Sequence, residues 1–536
     1  TTLADGTATG DKAGVGIALG LNVVNDMTLA TTERNLTVGG DVEFSAHNAA
    51  ASAAETKASS TGGKEESTPA GSDKKMFDGS GQVDAAADTI QVGSGHGFTN
   101  GQAVVYHKGS GNAVTGLTDG ETYYVILSGA DKVKLAATAA DAKAKRAVNL
   151  QGGGSGADQY LIVDQTRGVD NNVTEQSNLA DKKASEGGTT GTGSSTAPKA
   201  ETSQGGISVA AAIGVNIASS KAQAFVPDNG RVTAGGVLTL SASNNTDARS
   251  KADGSATSRG TSATGIGVGV AITVVHSVNE ATLGSNAQVH ASGLNLAATM
   301  TDVGGDKVNT FGADATSGAS GGKIGVAGSV AINIAEATSL AAIKGGASVV
   351  LSGGSGDMTL AAENNSSSTA QAKADSSVPG GKVGVGLSVG LNIANTQSIA
   401  TIADGAVVTG GHNLTMTADA DNSATTGAQA GGAATGGTGI GIGGGIAIAI
   451  VNNTTTTEFG SSASGLTLGG ALSAVATHKG TTTTTADGTA VGGKAGIGIA
   501  LALNVVNDVT IATTRRDLNV GGDLEFGAHN ASASDA

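Results

Sequence analysis

Histidine is the side chain best suited to moving protons or holding a metal near neutral pH, so the eight histidines of this chain are weighed first. No two of them stand at a metal-ligand spacing. His47 and His529 are one occurrence copied by an internal repeat of offset 482, and all eight read as surface polar groups. With no cysteine, disulfide frameworks, thiolate metal sites and cysteine nucleophiles are removed together. The acidic excess, 45 Asp and Glu against 30 Lys and Arg, could attract calcium. Neither the Gly/Asp nonapeptide nor an EF-hand loop is present, however, and Asp5-Gly6 and Asp119-Gly120 read as turns. No cofactor is expected, and calcium is a secondary reading only. The glycines from Gly439 to Gly445 lack the Lys-Ser/Thr of a phosphate cradle, and Thr481 to Thr485 lacks the regular Thr-x-Thr of an ice-binding face. A polysaccharide-cleaving enzyme would need paired carboxylates beside aromatic sugar platforms. Tryptophan is absent and the four tyrosines sit in one segment, so an enzyme is not expected.

Composition narrows the class further. The chain has 536 residues, 38% hydrophobic, with 87 Gly: too glycine-rich for an ordinary enzyme and too apolar for a disordered chain. A net charge of -15 leaves no basic patch for nucleic acid. The longest apolar run, Gly439 to Val451, is shorter than the roughly 20 residues of a membrane-spanning helix. At 2% aromatics the chain cannot build the girdles of an outer-membrane barrel, so no membrane insertion is expected. The start, Thr1-Thr-Leu-Ala-Asp, has no signal-peptide pattern, and the chain reads as a cut from something longer.

The elements that organise the chain are seven related stretches, the first being Ala13-Gly-Val-Gly-Ile-Ala-Leu-Gly-Leu-Asn-Val-Val24. At the two-residue period of a strand, Val15, Ile17, Leu19, Leu21 and Val23 share one side, and Gly14, Gly16, Ala18, Gly20 and Asn22 share the other. Neither side is polar. Such a strand is expected to be covered on both faces, with the large aliphatics fully buried and the small side letting a second layer come unusually close. The position of Asn22 recurs at Asn216, Thr273, Asn333, Asn392, Ala449 and Asn504, with spacings of 57, 60, 59, 57 and 55 after Asn216. A period near 57 signals a solenoid or bead array. The fold class expected is therefore all-β, a parallel β-solenoid of units of about 57 residues carrying one small inserted β domain. In stacked coils, Asn22, Asn216, Asn333, Asn392 and Asn504 would form an amide ladder; alternatively, Asn merely ends a strand. Each unit is one large coil or three coils of about 19 residues. One coil is favoured, because only it stacks each Gly/aliphatic strand on its own copy.

In domain terms, residues 1–56 form the first unit, 57–79 a linker, 80–165 the inserted domain, 166–205 a second linker, 206–491 units two to six, and 492–536 the start of a further block repeating 10–54. Residues 483–536 match 1–54 at 40 of 54 positions, which implies a tandem array of blocks. The inserted segment holds Tyr106, Tyr123, Tyr124 and Tyr160 in strand-like runs, with a short helix over Ala137 to Ala147. Tyr106, Tyr123 and Tyr124 are the expected contact surface if this domain binds a ligand.

Openings such as Gly380-Gly-Lys-Val-Gly-Val-Gly-Leu-Ser-Val-Gly-Leu-Asn-Ile393 and closings such as Gly39-Gly-Asp-Val-Glu-Phe-Ser-Ala46 resemble the repeats of large filamentous adhesins and haemagglutinin-like exoproteins of Gram-negative bacteria. The inserted module, with Gly97-Phe-Thr-Asn-Gly-Gln-Ala-Val-Val-Tyr106, is similar to one found in such surface proteins. The resemblance implies secretion, a cell-surface or extracellular-matrix location and a β-solenoid stalk. Long polar but weakly charged Ser/Thr/Ala/Asn faces repel little, so self-association into a fibre or bundle is expected, and the inserted domain would attach to a surface glycan or protein, as in biofilm adhesion. It carries no functional residues with it.

Overall fold

The computed structural model describes residues 1–9, 13–62, 74–163, 207–258, 263–353 and 355–536. The chain divides into two compact units, 1–64 with 183–536, and 65–182.

The first unit is a parallel β-solenoid with one coil per repeat unit. Each coil has a long front strand, a short edge strand and a long back strand. The front strands Ala13–Thr31, Ile207–Val226, Thr264–Leu283, Ile324–Ile343, Val383–Ile402, Ile440–Phe459 and Ala495–Thr514 pair in that order, all parallel. The residues at the ruler positions align across every rung, from Asn22 through Asn216, Thr273, Asn333, Asn392 and Ala449 to Asn504. The back sheet runs from Thr2–Thr9 through Val42–Gly62 and Val237–Ser258 to Leu524–Asp535, and is also parallel. In the third coil the back strand is split into Gly293–Met300 and Asn309–Ser320 by a small loop. Between Ala298 and Asn309 lie 11 steps where the next coil uses 4, from Ala362 to Ser366, which is how the longest spacing of 60 is absorbed without losing register.

The cross-section is a wedge. At its wide end the front, back and edge sheets enclose a core of Val226, Val232, Leu238, Leu240, Leu283, Val289, Leu294, Ile343 and Leu360 and their relatives, nearly all fully buried. At about 1.5–3 kcal/mol for each large side chain, these residues carry the apolar stabilisation of the coil. At the narrow end two sheets remain, and Ala18, Ala210, Ala252, Ala271, Ala313 and Ala370 meet between them. The glycines there set the spacing, since a β-carbon on Gly16 would stand 2.5 Å from the Ser59 carbonyl oxygen, and one on Gly390 would stand 2.5 Å from that of Gly427. The close approach expected of the small side is realised.

The expectation that both sides of the front strand are covered does not hold. The small side faces the core, whereas the large aliphatics face outward: Val15, Ile17, Leu19, Leu21 and Val23 are between 55% and 65% exposed. The strand is one of two layers at this end, not an inner layer of three. Stacking on neighbouring rungs half-covers the outward aliphatics of the middle coils, but within the solenoid and among the described residues no element packs on top of them.

The second unit is an antiparallel seven-stranded sheet, ordered Lys74–Phe77, Gln159–Val163, Ala103–His107, Thr122–Leu127, Lys132–Ala136, Thr89–Gln91 and Val83–Asp84. Its own core includes Phe77, Ile90, Val104, Tyr106, Val125, Leu135 and Leu161. The helix is shorter than expected, Ala139–Lys143, capped by the Thr138 hydroxyl accepting from the Asp141 N–H. The boundaries shift too: the strand Val42–Gly62 continues six residues past 56, and the domain begins with the strand at Lys74 inside the expected linker 57–79. The second linker, 166–205, lies outside the described residues.

Candidate contact surfaces and the buried polar ladder

Between the two sheets, where the wedge narrows, the ruler asparagines lie on the inward face, partly exposed on the end coils at Asn22 and Asn504 and buried between. Asn216, Asn333 and Asn392 are fully buried. Asn22 Nδ2 donates to Asn216 Oδ1 at 2.9 Å, and Asn333 Nδ2 donates to Asn392 Oδ1 at 3.0 Å. The amides also cross to the back sheet: Asn216 Nδ2 donates to Ser52 Oγ at 2.9 Å, and the Ser368 hydroxyl donates to Asn392 Oδ1 at 2.6 Å. At the third rung Thr273 Oγ1 turns away along the back sheet to Ser250 Oγ at 2.8 Å and the Gly312 carbonyl at 2.6 Å. Asn333 Oδ1, the acceptor that faces it, has no partner. Ala449 offers none, and Asn504, on the last coil, bonds Ser534 Oγ at 3.1 Å and the Thr484 hydroxyl.

A second buried polar row, four residues further along the strand, was not anticipated. Ser220, Ser277, Thr396 and Asn453 on the front strands face Asn244 and Asn422 on the back strands. Ser220 Oγ donates to Asn244 Oδ1 at 3.0 Å, and Asn422 Nδ2 donates to Thr396 Oγ1 at 2.9 Å. Polar residues at these inward positions, on every rung but the fourth, where Ala337 stands, were the available signal, together with runs such as Ser243-Asn-Asn-Thr246 and Glu363-Asn-Asn-Ser366. His478 lies in this row on the back sheet, 1% exposed, 3.6 Å from Asp508. Burial holds its pKa below the usual histidine value against the opposing pull of Asp508 and Asp421.

The outer surface of the back sheet is polar and charged. In register across three coils stand Glu55, Lys251 and Asp314, with Arg249 Nε donating to Asp314 Oδ2 at 2.8 Å. Burial among neighbours, reinforced by Arg249 and opposed by Glu55 and Asp314, lowers the Lys251 pKa to about 8. Two surface histidines pair with carboxylates of adjacent coils: His276 with Glu336 at 3.2 Å, and His412 with Asp357 at 3.4 Å. His276 and Glu336 line a shallow groove of about 280 Å³ with Asn395 and Asn452. Among the described residues no cluster of three or more His, Asp or Glu is placed to hold a metal, and no helix is long and apolar enough to cross a membrane.

The chain matches no family model, no curated protein and no solved structure. Its surfaces carry the functional reading.

The tyrosines of the inserted domain are not the contact surface expected of them. Tyr106 is fully buried, its hydroxyl donating to Gln159 Oε1 at 2.7 Å and accepting from the Val114 N–H at 2.8 Å. Tyr123 and Tyr124 are 5% and 8% exposed, and the Tyr123 hydroxyl accepts from the Thr118 N–H at 2.9 Å. The cause is the central position of their strands: Ala103–His107 and Thr122–Leu127 are covered on both faces, so nearly every residue is inside. Tyr160 is also enclosed, stacked on His107 with centroids 4.7 Å apart.

Proposed function

We propose that this chain is a structural segment of a secreted fibrous protein of the adhesin type, a stack of coils that serves as a scaffold and carries the inserted domain. The observation that supports it most is the uninterrupted register of seven front strands, with buried amides bonded from coil to coil. Such an arrangement resists extension and shear along the stack, and it adds length by adding coils. Residues 483–536 repeat 1–54 and re-enter the stack as an ordinary rung, so further blocks would continue the same sheets. Six rungs per block at about 4.8 Å advance the stack by about 29 Å for every 482 residues, while strands of 20 residues make it about 65 Å wide. The product is a broad ribbon in place of a thin rod. Electron microscopy of proteins with one and two blocks would test this: the long-axis increment should be about 29 Å per block, with a 4.8 Å meridional spacing. Separate beads for each repeat would refute it.

The inserted domain as a glycan- or protein-binding module is the second reading, supported by its being a compact unit with its own core. Its contact residues would lie among exposed loop residues and not among the tyrosines. Deleting 65–182 should leave the solenoid's β signal intact and abolish attachment to the target surface; unchanged attachment disposes of it.

A further inference from the structure

The narrow half of the front sheet presents, on its outer side, six positions from each of seven strands. In the second rung these are Ile207, Val209, Ala211, Ile213, Val215 and Ile217, and in the fifth Val383, Val385, Leu387, Val389, Leu391 and Ile393. Across all seven strands not one of these positions is charged or aromatic, and the exceptions to Val, Ile and Leu are Ala13, Ala211, Thr264, Gly328, Gly444 and Ala495. Eleven residues at about 3.3 Å by seven strands at about 4.8 Å give a face of roughly 1,200 Å². That is about two to four times the largest apolar patch an ordinary monomer leaves open.

We propose that this face is an interface with a second copy of the chain, the two front sheets packing on each other as a sandwich. Three observations select a copy over another occupant. Joining two such faces would bury about 2,400 Å² in total, above the standard size of a specific interface and in the range of permanent dimers. Lacking charge, the face meets no electrostatic penalty against itself, whereas the back sheet carries Lys251, Arg249, Asp314 and Asp419. The relief is also self-complementary: Leu387, 50% exposed, stands in register between Gly444, over which its own Cδ2 reaches, and Gly328, which is open, a knob beside a notch. A copy turned about a two-fold axis sets its own Leu387 into the Gly328 notch. A lipid surface is the weaker occupant, because the face has no aromatic residue with which to sit at headgroup level, and the exposed lysines that border it, Lys323, Lys382 and Lys494, stand in one row at the strand starts. The inference deepens the scaffold reading by naming the surface that joins ribbons in pairs, but it stands on the face alone and survives if the fibre does not form.

The full chain has no cysteine, and a β-carbon at Gly328 meets no atom within 4 Å, so Gly328→Cys places one thiol in the centre of the face without disturbing the fold. At micromolar concentration the wild type should sediment at twice 51.1 kDa, and a bismaleimide spanning about 10 Å, the distance between facing sheets, should join Gly328→Cys chains in pairs in high yield. Ser473→Cys, on the exposed outer surface of the back sheet, should yield at least tenfold less. Ile332→Glu with Leu391→Glu should return the protein to a monomer with unchanged far-ultraviolet β signal. A monomeric wild type, equal cross-linking at both cysteines, or flotation of monomers with phosphatidylcholine vesicles each overturns the proposal. Failure of beads to lengthen with added blocks, by contrast, would count against the fibre and leave the dimer standing.

Discussion

Replacing Thr273 by Asn should complete the interrupted amide ladder and strengthen the solenoid. Thr273 is fully buried in register between Asn216 and Asn333, and its hydroxyl serves the back sheet, leaving Asn333 Oδ1 without a donor. Asn and Thr are close in volume, so the substitution makes little cavity or strain. The geometry already seen at Asn22 and at Asn333, where Nδ2 reaches the next rung's Oδ1 at 2.9 and 3.0 Å, would supply the missing bond. An orphaned buried acceptor costs about 1–3 kcal/mol. Against this stand the two Thr273 bonds, of which the one to Ser250 is replaceable, since the new Oδ1 accepts from a hydroxyl. The net is about 1 kcal/mol in favour of Asn. Coils open locally before the stack melts as a whole, so the assay is amide hydrogen exchange of Thr264–Leu283 and Ile324–Ile343. Exchange there should slow about fivefold. Thr273→Val, which deletes the hydroxyl and supplies no amide, should speed it by a similar factor. Unchanged or faster exchange in the Asn variant, with the Val variant like wild type, would refute the idea that these amides are energetically joined.

Two glycines on opposite sides of neighbouring front strands should behave oppositely. Gly267→Ala drives a β-carbon into the Gly318 carbonyl and should cost about 3 kcal/mol, whereas Gly328→Ala, with open space around it, should gain about 0.5 kcal/mol; urea unfolding of both reads the sign. Arg516 plugs the end of the wide core, its guanidinium donating to the carbonyls of Gly460 at 2.6 Å, Ala406 at 2.9 Å and Ala403 at 2.9 Å. Arg516→Met should therefore destabilise the last coil by about 3 kcal/mol, seen as lost protection of Ala495–Thr514, and Arg516→Lys should fail to restore it because an ammonium cannot span three carbonyls. Lys251, with its pKa lowered to about 8 in the fold against about 10.4 unfolded, holds fewer protons folded than unfolded between those values. Its burial thus weakens the fold most below pH 8, and that penalty fades as pH rises toward 10.4. The stability advantage of Lys251→Met over wild type, measured by denaturant titration, should shrink over that interval; a gap that grows would reverse the assignment.

Much of the solenoid could be read from one strand and its copies. Alternation of Gly with Val, Ile and Leu identified the strand, and the recurrence of Asn at a fixed place gave the unit and its single coil. The side that faces inward was not readable, because periodicity separates two faces without saying which is inside. The usual rule that bulk goes in failed here for a physical reason: with Gly16, Gly267 and Gly390 set against carbonyl oxygens, the sheets approach too closely to admit Leu or Ile between them, and the bulk is left outside. The tyrosines misled for the converse reason. Gln102 to Tyr106 and Thr122 to Leu127 lie mid-sheet, and a strand covered on both faces hides the alternation that would mark a solvent side. The second polar row and the Arg516 plug depend on which residues meet across coils, and one-dimensional spacing did not show those meetings.

Register in this stack is kept by backbone and small side chains, and the spacings of 57, 60 and 55 residues differ only in the excursions between strands. Interchangeable rungs of this kind are tolerant of recombination between copies. Gain or loss of one whole unit would change the length by about 5 Å and leave every ladder aligned, whereas a crossover displaced by one residue would turn the aliphatic rows inward against the glycine carbonyls and halt the stack. Length would then be free to drift in whole steps, while the width and the two contrasting faces of the ribbon would be held fixed.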